Sequence, residues 1–313
     1  MGYIYRRSNG RAWRLRQRSM ALWPAWISKL SNKDQPLCIH KPLVQLASSE
    51  QEATRMQTLI QKRQDLGLTP VSAHQAQAAG LQWPKHQWGG IISRLDGWVD
   101  PLQLQRNLRS ALAGSSQLVT QINDDVACLE RSKSKRKGLW QVHQKRGERN
   151  CFDVVIICSA LGSLGLLNSL GHDRQMEPVL GQVLKLRVPD NQNNWQGWPA
   201  VLVYQGINLI PYGSDQLLMG ATVEPGEQAD PNPLALMQQR SGELPDWLQA
   251  AKIINQWHGL RAKPVHRSAP ILEVLEPGLI LATAHYRNGV LLTPASAEWI
   301  AKTLEHKQEL TCS

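Results

Sequence analysis

Several features of common protein classes are missing from this sequence. No run of about 18 apolar residues occurs, which excludes a membrane-spanning helix. The five cysteines form no CxxC pair and no His/Cys cluster at zinc-ligand spacing, so no metal site is predicted. The N-terminus also lacks the apolar segment of a secretory signal. We therefore expect a soluble, cytoplasmic protein with reduced thiols.

Acidic residues are scarce relative to basic ones, with 25 Asp and Glu against 35 Lys and Arg and a net charge of +10. Such a balance favours anionic partners such as nucleic acid, an acidic membrane surface or a carboxylate substrate. The excess lies in two separate places, residues 6–18 and the run 131–137, and forms no continuous stripe. This distribution argues against nucleic acid and membranes as main partners and leaves a carboxylate substrate.

The length of 313 residues, 42% of them hydrophobic, is sufficient for one large domain or two closely joined ones. The spacing of apolar residues and the capping signals predict helices at 11–30 (kinked or divided at Pro24), 51–67, 72–80, 101–113, 231–256 and 294–305. Strands are predicted at 125–130 and 139–144, around a charged turn, and at 152–159 and 279–282. The continuous apolar run within 152–159 indicates a strand buried on both faces of a parallel sheet.

The last predicted strand leads into a turn and the C-terminal helix. Thr293 is suited to cap this helix and Pro294 to occupy its first position. The free N–H groups of the first turn would then face the segment 287–292 and form an anion site. Read alone, the same residues are also typical of an ordinary capped helix.

Five motifs in this region and upstream resemble the D-amino-acid oxidase and glycine oxidase family of FAD-dependent enzymes. His285-Tyr286-Arg287-Asn288-Gly289-Val290-Leu291-Leu292-Thr293-Pro294 is similar to the family's C-terminal flavin-binding signature. The other four are Gly97–Pro101, Pro178–Val183, Ile210–Tyr212 with Gly220–Thr222, and His258–Arg261. They keep the family order over roughly residues 90 to 300, so the resemblance does not depend on one motif.

The resemblance implies an α/β fold in which a FAD-binding Rossmann-like domain is interleaved with a mixed α+β substrate-binding domain. The FAD domain would comprise 1–36, 97–176 and 256–313, and the substrate domain 37–96 and 177–255. The family's first βαβ unit, with its G-x-G-x-x-G phosphate-binding turn, is missing from the sequence. Residues 1–4 would follow that unit and lie near one face of the flavin. Either the natural start lies upstream, which we favour, or the gene is truncated and its product binds flavin poorly.

The resemblance also implies roles for single residues. Arg261 would grip the substrate carboxylate, Arg287 is the second choice for that role, and Tyr212 would line the pocket. Because the flavin carries the redox chemistry, no catalytic side chain is predicted, and His258 and His285 are not assigned as bases. Ala160 stands where the family usually has a glycine close to the cofactor. The predicted cofactor-binding residues are Val126, Ala160, Gly162, His285, Tyr286, Arg287, Asn288, Gly289, Val290 and Leu291.

The function predicted in this way is FAD-dependent oxidation of the amine of a small amino acid, with oxygen or another compound as electron acceptor. Two alternatives remain open. One is the related flavin module that acts in tRNA-base modification, which the basic charge would suit. The other is a truncated remnant without catalytic activity. The sequence predicts no oligomeric state.

Overall fold

The structure is a computed structural model that describes residues 1–34, 36–72, 81–117, 119–132, 140–188, 195–241 and 245–311. The predicted helix at 72–80 and most of the charged turn at 131–138 lie outside these residues. The helices are α1 (Gly10–Leu30), α2 (Glu50–Lys62), α3 (Pro101–Ala113), α4 (Ser163–Ser169), α5 (Pro233–Ser241), α6 (Asp246–Gln249) and α7 (Gly289–Thr311). Single 3-10 turns occupy Gln64–Leu66, Ala160–Gly162 and Tyr286–Asn288.

The described strands number fifteen. They are β1 (Leu43–Leu46), β2 (Leu68–Val71), β3 (Gly90–Ser93), β4 (Val126–Arg131), β5 (Trp140–Gln144), β6 (Arg149–Phe152), β7 (Val155–Ile157), β8 (Met176–Arg187), β9 (Val201–Tyr204), β10 (Ile207–Tyr212), β11 (Gln216–Gly220), β12 (Glu224–Pro225), β13 (Lys252–Pro264), β14 (Ile271–Glu276) and β15 (Leu279–Thr283).

The chain divides into two compact units, and each is built from three separate segments. Unit 1 comprises Met1–Trp13, Ser31–Leu104 and Leu180–Leu260, and unit 2 comprises Arg14–Leu30, Gln105–Val179 and Arg261–Ser313. The assignment of a flavin domain and a substrate domain, with the boundaries given above, stays a prediction.

Unit 1 is organised by a nine-stranded mixed sheet. Eight of its strands lie in the order β12-β8-β11-β10-β9-β1-β3-β2, and β13 pairs with β8. Alternate side chains of β8 and β11 point into one core, where Leu184, Leu186, Leu217 and Met219 are fully buried. Helix α2 packs Met56, Leu59 and Ile60 onto the sheet in a second core. It begins at the cap Ser49, and the chain turns after it at Gly67, whose φ is 73°.

Unit 2 contains two three-stranded sheets, ordered β14-β15-β7 and β4-β5-β6. All five residues of β15 are buried, and this strand runs parallel to β7 and antiparallel to β14. The prediction that 152–159 forms a strand buried on both faces is wrong. Strand β7 is only three residues long. Phe152 at the end of β6, Val154 before β7 and Ile156 within it keep 44%, 37% and 39% of their surface exposed, because they line an open groove.

Two predicted helices also differ from the observed ones. Helix α1 runs through Pro24 without division. The predicted helix 231–256 consists of α5 and α6 only, because 252–256 belongs to β13, where pairing with β8 overrides local propensity. The predicted helix 101–113 is confirmed, and the Asp100 carboxylate accepts hydrogen bonds from the N–H groups of Leu102 and Gln103 at 2.8 and 3.1 Å. None of the helices within the described ranges combines the length and hydrophobicity needed to span a bilayer.

Candidate active site

The turn between β15 and α7 holds most of the predicted flavin-binding residues. The buried strand ends at Thr283, and Ala284 and Tyr286 both adopt a φ of 54°, so the chain reverses direction in a few residues. Such values are uncommon for residues other than glycine and cost on the order of 1 kcal/mol each. The imidazole of His285 lies 2.8 Å from the hydroxyl of Ser296, which joins the turn to the helix that follows.

The helix after this turn begins five residues earlier than predicted. Helix α7 starts at Gly289, and Pro294 lies inside it. Thr293 therefore does not cap the helix; its hydroxyl donates to the carbonyl of Gly289 at 2.8 Å, a bond within the helix. Because the first N–H groups of an α-helix have no partner within the helix, the free donors belong to the segment from Gly289. They therefore lie within the motif that resembles a flavin-binding signature.

Four side chains of α1 fix this turn and the start of α7, and the sequence analysis assigned none of them. Arg16 Nη2 donates to Asn288 Oδ1 at 2.8 Å, and Trp23 Nε1 donates to the carbonyl of Leu291 at 3.1 Å. Ser19 Oγ accepts from the N–H of Ala295 at 3.2 Å, and Arg18 Nε donates to Glu298 Oε2 at 2.8 Å. The only signal in the sequence was the apolar periodicity of α1. It puts Trp23 on the apolar side of the helix but does not identify the group to which the indole donates a hydrogen bond.

A groove of about 680 Å³ lies on the exposed side of β7 and β4 in unit 2. Its lining is mostly apolar and includes Val126, Phe152, Val154 and Ile156, with Ser159 and Gly162 at the turn after β7. Two predicted cofactor residues, Val126 and Gly162, are thus brought to one groove. Burial raises the pKa of the Cys158 thiol, which also lines the groove, so this group is a neutral thiol at pH 7.

Ala160 lies in the turn after β7, in the first position of the 3-10 turn that precedes α4. Its φ is 50°, a conformation that glycine adopts without strain. The hydroxyls of Ser159 and Ser163 lie 3.1 Å apart, and that of Ser163 donates to Thr283 Oγ1 at 3.4 Å. Ala160 therefore adopts a conformation that favours glycine, at the position where the resemblance leads us to expect one.

The three predicted substrate-binding residues belong to two different units. Arg261 is half-buried on β13 and Arg287 is exposed in the turn before α7, both in unit 2. Tyr212 belongs to unit 1, where it lines a pocket of about 460 Å³ together with Trp98, Trp195 and Trp198. The joint action of Arg261 and Arg287 on a carboxylate stays a prediction.

Unit 1 anchors the N-terminal segment through two buried charged residues that the sequence analysis also missed. The carboxylate of Asp96 accepts hydrogen bonds from the N–H groups of Gly2, Tyr3 and Ile4, the last two at 3.0 and 3.2 Å. Arg63 donates to the carbonyls of residues 3, 5 and 7 and to Ser8 Oγ, and its guanidinium lies 3.7 Å from the centre of the Trp13 ring. Their sequence surroundings carried no signal, because the partners are about 60 and 93 residues away.

Two observed features suit the binding of FAD: an apolar groove beside a tight turn, and a helix that begins at Gly289. The first N–H groups of a helix have no partner within it and favour a bound anion. Comparison with known proteins agrees. The family model described as FAD dependent oxidoreductase matches residues 1–303. The chain therefore belongs to this family of FAD dependent oxidoreductases.

Two curated proteins are similar to parts of this chain. The glycine oxidase of Bacillus licheniformis is 30% identical over 152 residues, which are 47% of this chain and 40% of that protein. The tRNA 5-methylaminomethyl-2-thiouridine biosynthesis bifunctional protein MnmC of Hahella chejuensis is 26% identical over 298 residues, or 89% of this chain and 45% of that protein. The chain thus matches less than half the length of these curated relatives.

Solved structures share the fold. Glycine oxidase from Geobacillus kaustophilus superposes with a TM-score of 0.80 at 22% identity, covering 97% of this chain and 82% of that one. L-proline dehydrogenase from P. horikoshii gives a TM-score of 0.76 at 14% identity, again covering 97% and 82%. The predicted α/β fold with a Rossmann-like FAD-binding part is confirmed by this similarity.

Proposed function

We propose that this protein is a cytoplasmic oxidase that uses FAD to convert the amine of a small amino acid, such as glycine, into an imine. The observation that carries the proposal is the turn 285–289, which is fixed from several sides and leads directly into the N-terminus of α7. Bound flavin would supply the acceptor for the two electrons and the hydrogen removed from the substrate carbon.

The residues of this chain would hold the two reaction partners. Val126, Gly162 and the backbone at Ala160 would contact the adenine and phosphate part of the cofactor. Residues 285–291 would surround the ring system, and the free N–H groups at the start of α7 would favour negative charge there.

Arg261 would bind the substrate carboxylate through two parallel charge-assisted hydrogen bonds and so orient the amine-bearing carbon. Arg287 is the alternative residue for this contact, and Tyr212 would limit the size of the pocket. No side chain is assigned as base, so the amine must enter in its neutral form, and we expect kcat/KM to rise with pH until the substrate amine is deprotonated.

The overall reaction balances with oxygen as acceptor. The amino acid loses two electrons and two protons to form an imine, and oxygen takes them up to give hydrogen peroxide. Water then hydrolyses the imine to an oxo acid and ammonia. Hydrogen peroxide formation therefore separates an oxidase from a dehydrogenase that passes its electrons to another acceptor.

Arg261→Ala tests the substrate assignment. Two charge-assisted hydrogen bonds contribute about 1.5 to 3 kcal/mol each, so we expect kcat/KM for glycine to fall by about 10² to 10⁴-fold. The kcat/KM of Arg261→Lys should lie between those of the wild type and Arg261→Ala, because an ammonium group keeps the charge but cannot form two parallel hydrogen bonds to a carboxylate. Arg267→Ala is the matched control, since that guanidinium already pairs with Glu273 at 2.6 Å.

Each variant is compared at equal FAD content, read from the visible absorbance of the purified protein. An unchanged kcat/KM in Arg261→Ala would exclude Arg261, and the same experiment on Arg287→Ala then tests the second choice. If FAD added in excess binds neither this chain nor a version that carries the family's first βαβ unit, the remnant alternative replaces the oxidase proposal.

A second candidate is oxidation of an amino acid-like group on a tRNA base. It is supported by the match to the bifunctional tRNA-modification protein over 89% of this chain and by the net charge of +10. The affinity for tRNA, measured at salt concentrations from about 50 to about 200 mM, discriminates between the amino-acid substrate and the tRNA substrate. A steep loss of affinity with salt supports the tRNA substrate, and no measurable tRNA binding removes it.

A further inference from the structure

Three potential metal ligands lie on one face of the sheet β4-β5-β6. Cys128 of β4 is directly opposite His143 of β5 in the antiparallel register. Glu130 is two residues further along β4, so its side chain projects from the same face as that of Cys128. The residues between them, Leu129 and Val142, face the opposite side, where Leu129 is buried in the core of unit 2. The pairing of two strands therefore places thiol, imidazole and carboxylate together.

The donor atoms of the three side chains are close to each other. One ligand atom from each of Cys128, Glu130 and His143 lies within 4.8 Å of the other two. His143 Nε2 lies 3.4 Å from Glu130 Oε2. That nitrogen is buried and has no hydrogen-bond partner among the described residues, because the geometry towards Glu130 does not make a hydrogen bond. A buried nitrogen in this state is expected to have a partner that the protein itself does not provide.

The separations suit a tetrahedral transition-metal ion. Zinc binds Cys sulfur at about 2.3 Å and His nitrogen or carboxylate oxygen at about 2.0 to 2.2 Å, which places neighbouring ligand atoms about 3.3 to 3.6 Å apart. The His143–Glu130 distance of 3.4 Å already falls in this range. The remaining pairs, at up to 4.8 Å, need a shift of roughly 1 Å, within reach of side-chain rotation.

We propose that Cys128, Glu130 and His143 bind one Zn²⁺ ion, with water in the fourth position. On binding, the thiol of Cys128 releases a proton and its sulfur forms the bond to zinc, so affinity rises with pH. The thiolate and carboxylate supply two negative charges, which balance the ion. Arg149 of β6 is opposite His143 and adds one positive charge on the same face, so we expect moderate affinity.

The site would act as a cross-link between β4 and β5, the hairpin that also carries Val126 at the groove. It is unrelated to the substrate chemistry, and its test does not depend on FAD binding. The sequence expectation of no metal site rested on the absence of clustered ligands along the chain. The ligands are 15 residues apart in sequence and meet only through strand pairing.

Titration of the reduced, chelator-treated protein with Co²⁺ tests the proposal. Cobalt replaces zinc in tetrahedral sites, and a sulfur ligand then produces a charge-transfer band in the near ultraviolet. We expect one equivalent to bind with this band, and added Zn²⁺ to remove the band by competition. Cys128→Ser should abolish the band, and His143→Gln and Glu130→Gln should each raise Kd at least about tenfold, as loss of ligand contacts does elsewhere.

Two matched controls remove a thiol without touching the three ligands. Cys38 lies 3.3 Å from His40 Nε2, a cysteine and histidine pair without a third ligand among the described residues. Cys151 is exposed on β6, opposite Gln141 on the same face as the site. Cys38→Ser and Cys151→Ser should both leave the band and Kd unchanged.

Four results would overturn the proposal that Cys128, Glu130 and His143 bind zinc. Absence of the band in the wild-type protein, a band that survives Cys128→Ser, or equal loss in Cys38→Ser would overturn the proposal. Wild-type affinity in both His143→Gln and Glu130→Gln would also overturn it. Circular dichroism confirms folding, and if Cys128→Ser does not fold, the Kd values of the other two ligand variants decide.

Discussion

The N-terminal segment 2–8 in unit 1 includes most of residues 1–4, which the family resemblance predicts to lie near the flavin, as it does the turn 285–289 in unit 2. Different forces hold the two segments. Buried Asp96 and Arg63, at 2% and 3% exposure, bind the first segment through charged groups on backbone atoms. The second is held mainly by hydrogen bonds between neutral groups, such as those of Trp23 and the His285–Ser296 pair. Arg16 is also buried, at 6% exposure, but the side chain of Asn288, to which it donates, is neutral, and the Arg18–Glu298 ion pair is partly exposed.

This difference predicts unequal sensitivity to substitution. A buried charge that loses its partner is costly, because the remaining group cannot be solvated, whereas loss of one neutral hydrogen bond near the surface costs much less. Burial lowers the pKa of the Arg63 guanidinium, and the charge of Asp96 opposes that shift, so the two groups depend on each other. The N-terminal segment should therefore respond far more strongly than the turn before α7.

The largest effect is expected for Asp96→Ala. It leaves the N–H groups of residues 2–4 without their acceptor and Arg63 without its nearby negative charge. We expect about 3 kcal/mol of lost stability, or release of the segment from unit 1. Denaturant unfolding measures the loss of stability, and hydrogen exchange at residues 2–4 measures the release of the segment. Asp34→Ala, which removes an exposed carboxylate, is the control.

Arg63→Lys should have the next largest effect. One ammonium cannot reach the four acceptors that the guanidinium serves, so we expect a loss of about 2 kcal/mol in the free energy of unfolding. Arg55→Lys changes an exposed arginine of α2, the helix that ends just before Arg63, and its unfolding curve should match that of the wild type. Equal losses in both variants would remove the argument for a special role of Arg63.

Trp23→Phe examines the turn in unit 2. An aromatic ring is retained, but it is smaller, and the 3.1 Å hydrogen bond to the carbonyl of Leu291 is lost, so we expect a cost of about 1 to 2 kcal/mol in stability. Because the carbonyl belongs to the predicted flavin site, FAD affinity should also fall. A stability loss as large as that of Asp96→Ala would contradict the contrast between the two segments.

Glu298→Gln should have the smallest effect. The Arg18 guanidinium lowers the pKa of the Glu298 carboxyl from 4.5 to about 2. A lowered folded-state pKa contributes stability above the unfolded value near 4.5, and this contribution is lost as the pH falls towards 2. Because the ion pair is partly exposed, we expect Glu298→Gln to lower the free energy of unfolding by less than about 1 kcal/mol at pH 7 and not at all at pH 2. Urea unfolding of the variant and the wild type at both pH values measures this difference. A difference that grows at low pH would reverse the sign and contradict the assignment.

Local sequence signals predicted the elements whose limits depend on neighbouring residues. The Asp100–Pro101 pair gave the start of α3 as observed, and the helix predicted at 51–67 overlaps α2, which ends at Lys62, before a 3-10 turn that stops at Gly67. Long-range contacts were out of reach: strand pairing made 252–256 part of β13, and the exposed side of β7 left Ile156 open to a groove. The flavin motif was found because it is contiguous, whereas Arg63, Asp96 and the α1 contacts are distant in sequence.

The central claim is that the flavin of this protein is reduced by an amino acid that Arg261 binds. Under anaerobic conditions, FAD is bound to the wild-type protein and to Arg261→Ala at matched occupancy, and glycine is added. The account predicts that the absorbance of oxidised flavin bleaches rapidly in the wild type and at least about 100-fold more slowly in the variant at the same glycine concentration. A wild-type flavin that stays oxidised with glycine and other small amino acids, or one that bleaches equally fast in both proteins, would contradict it.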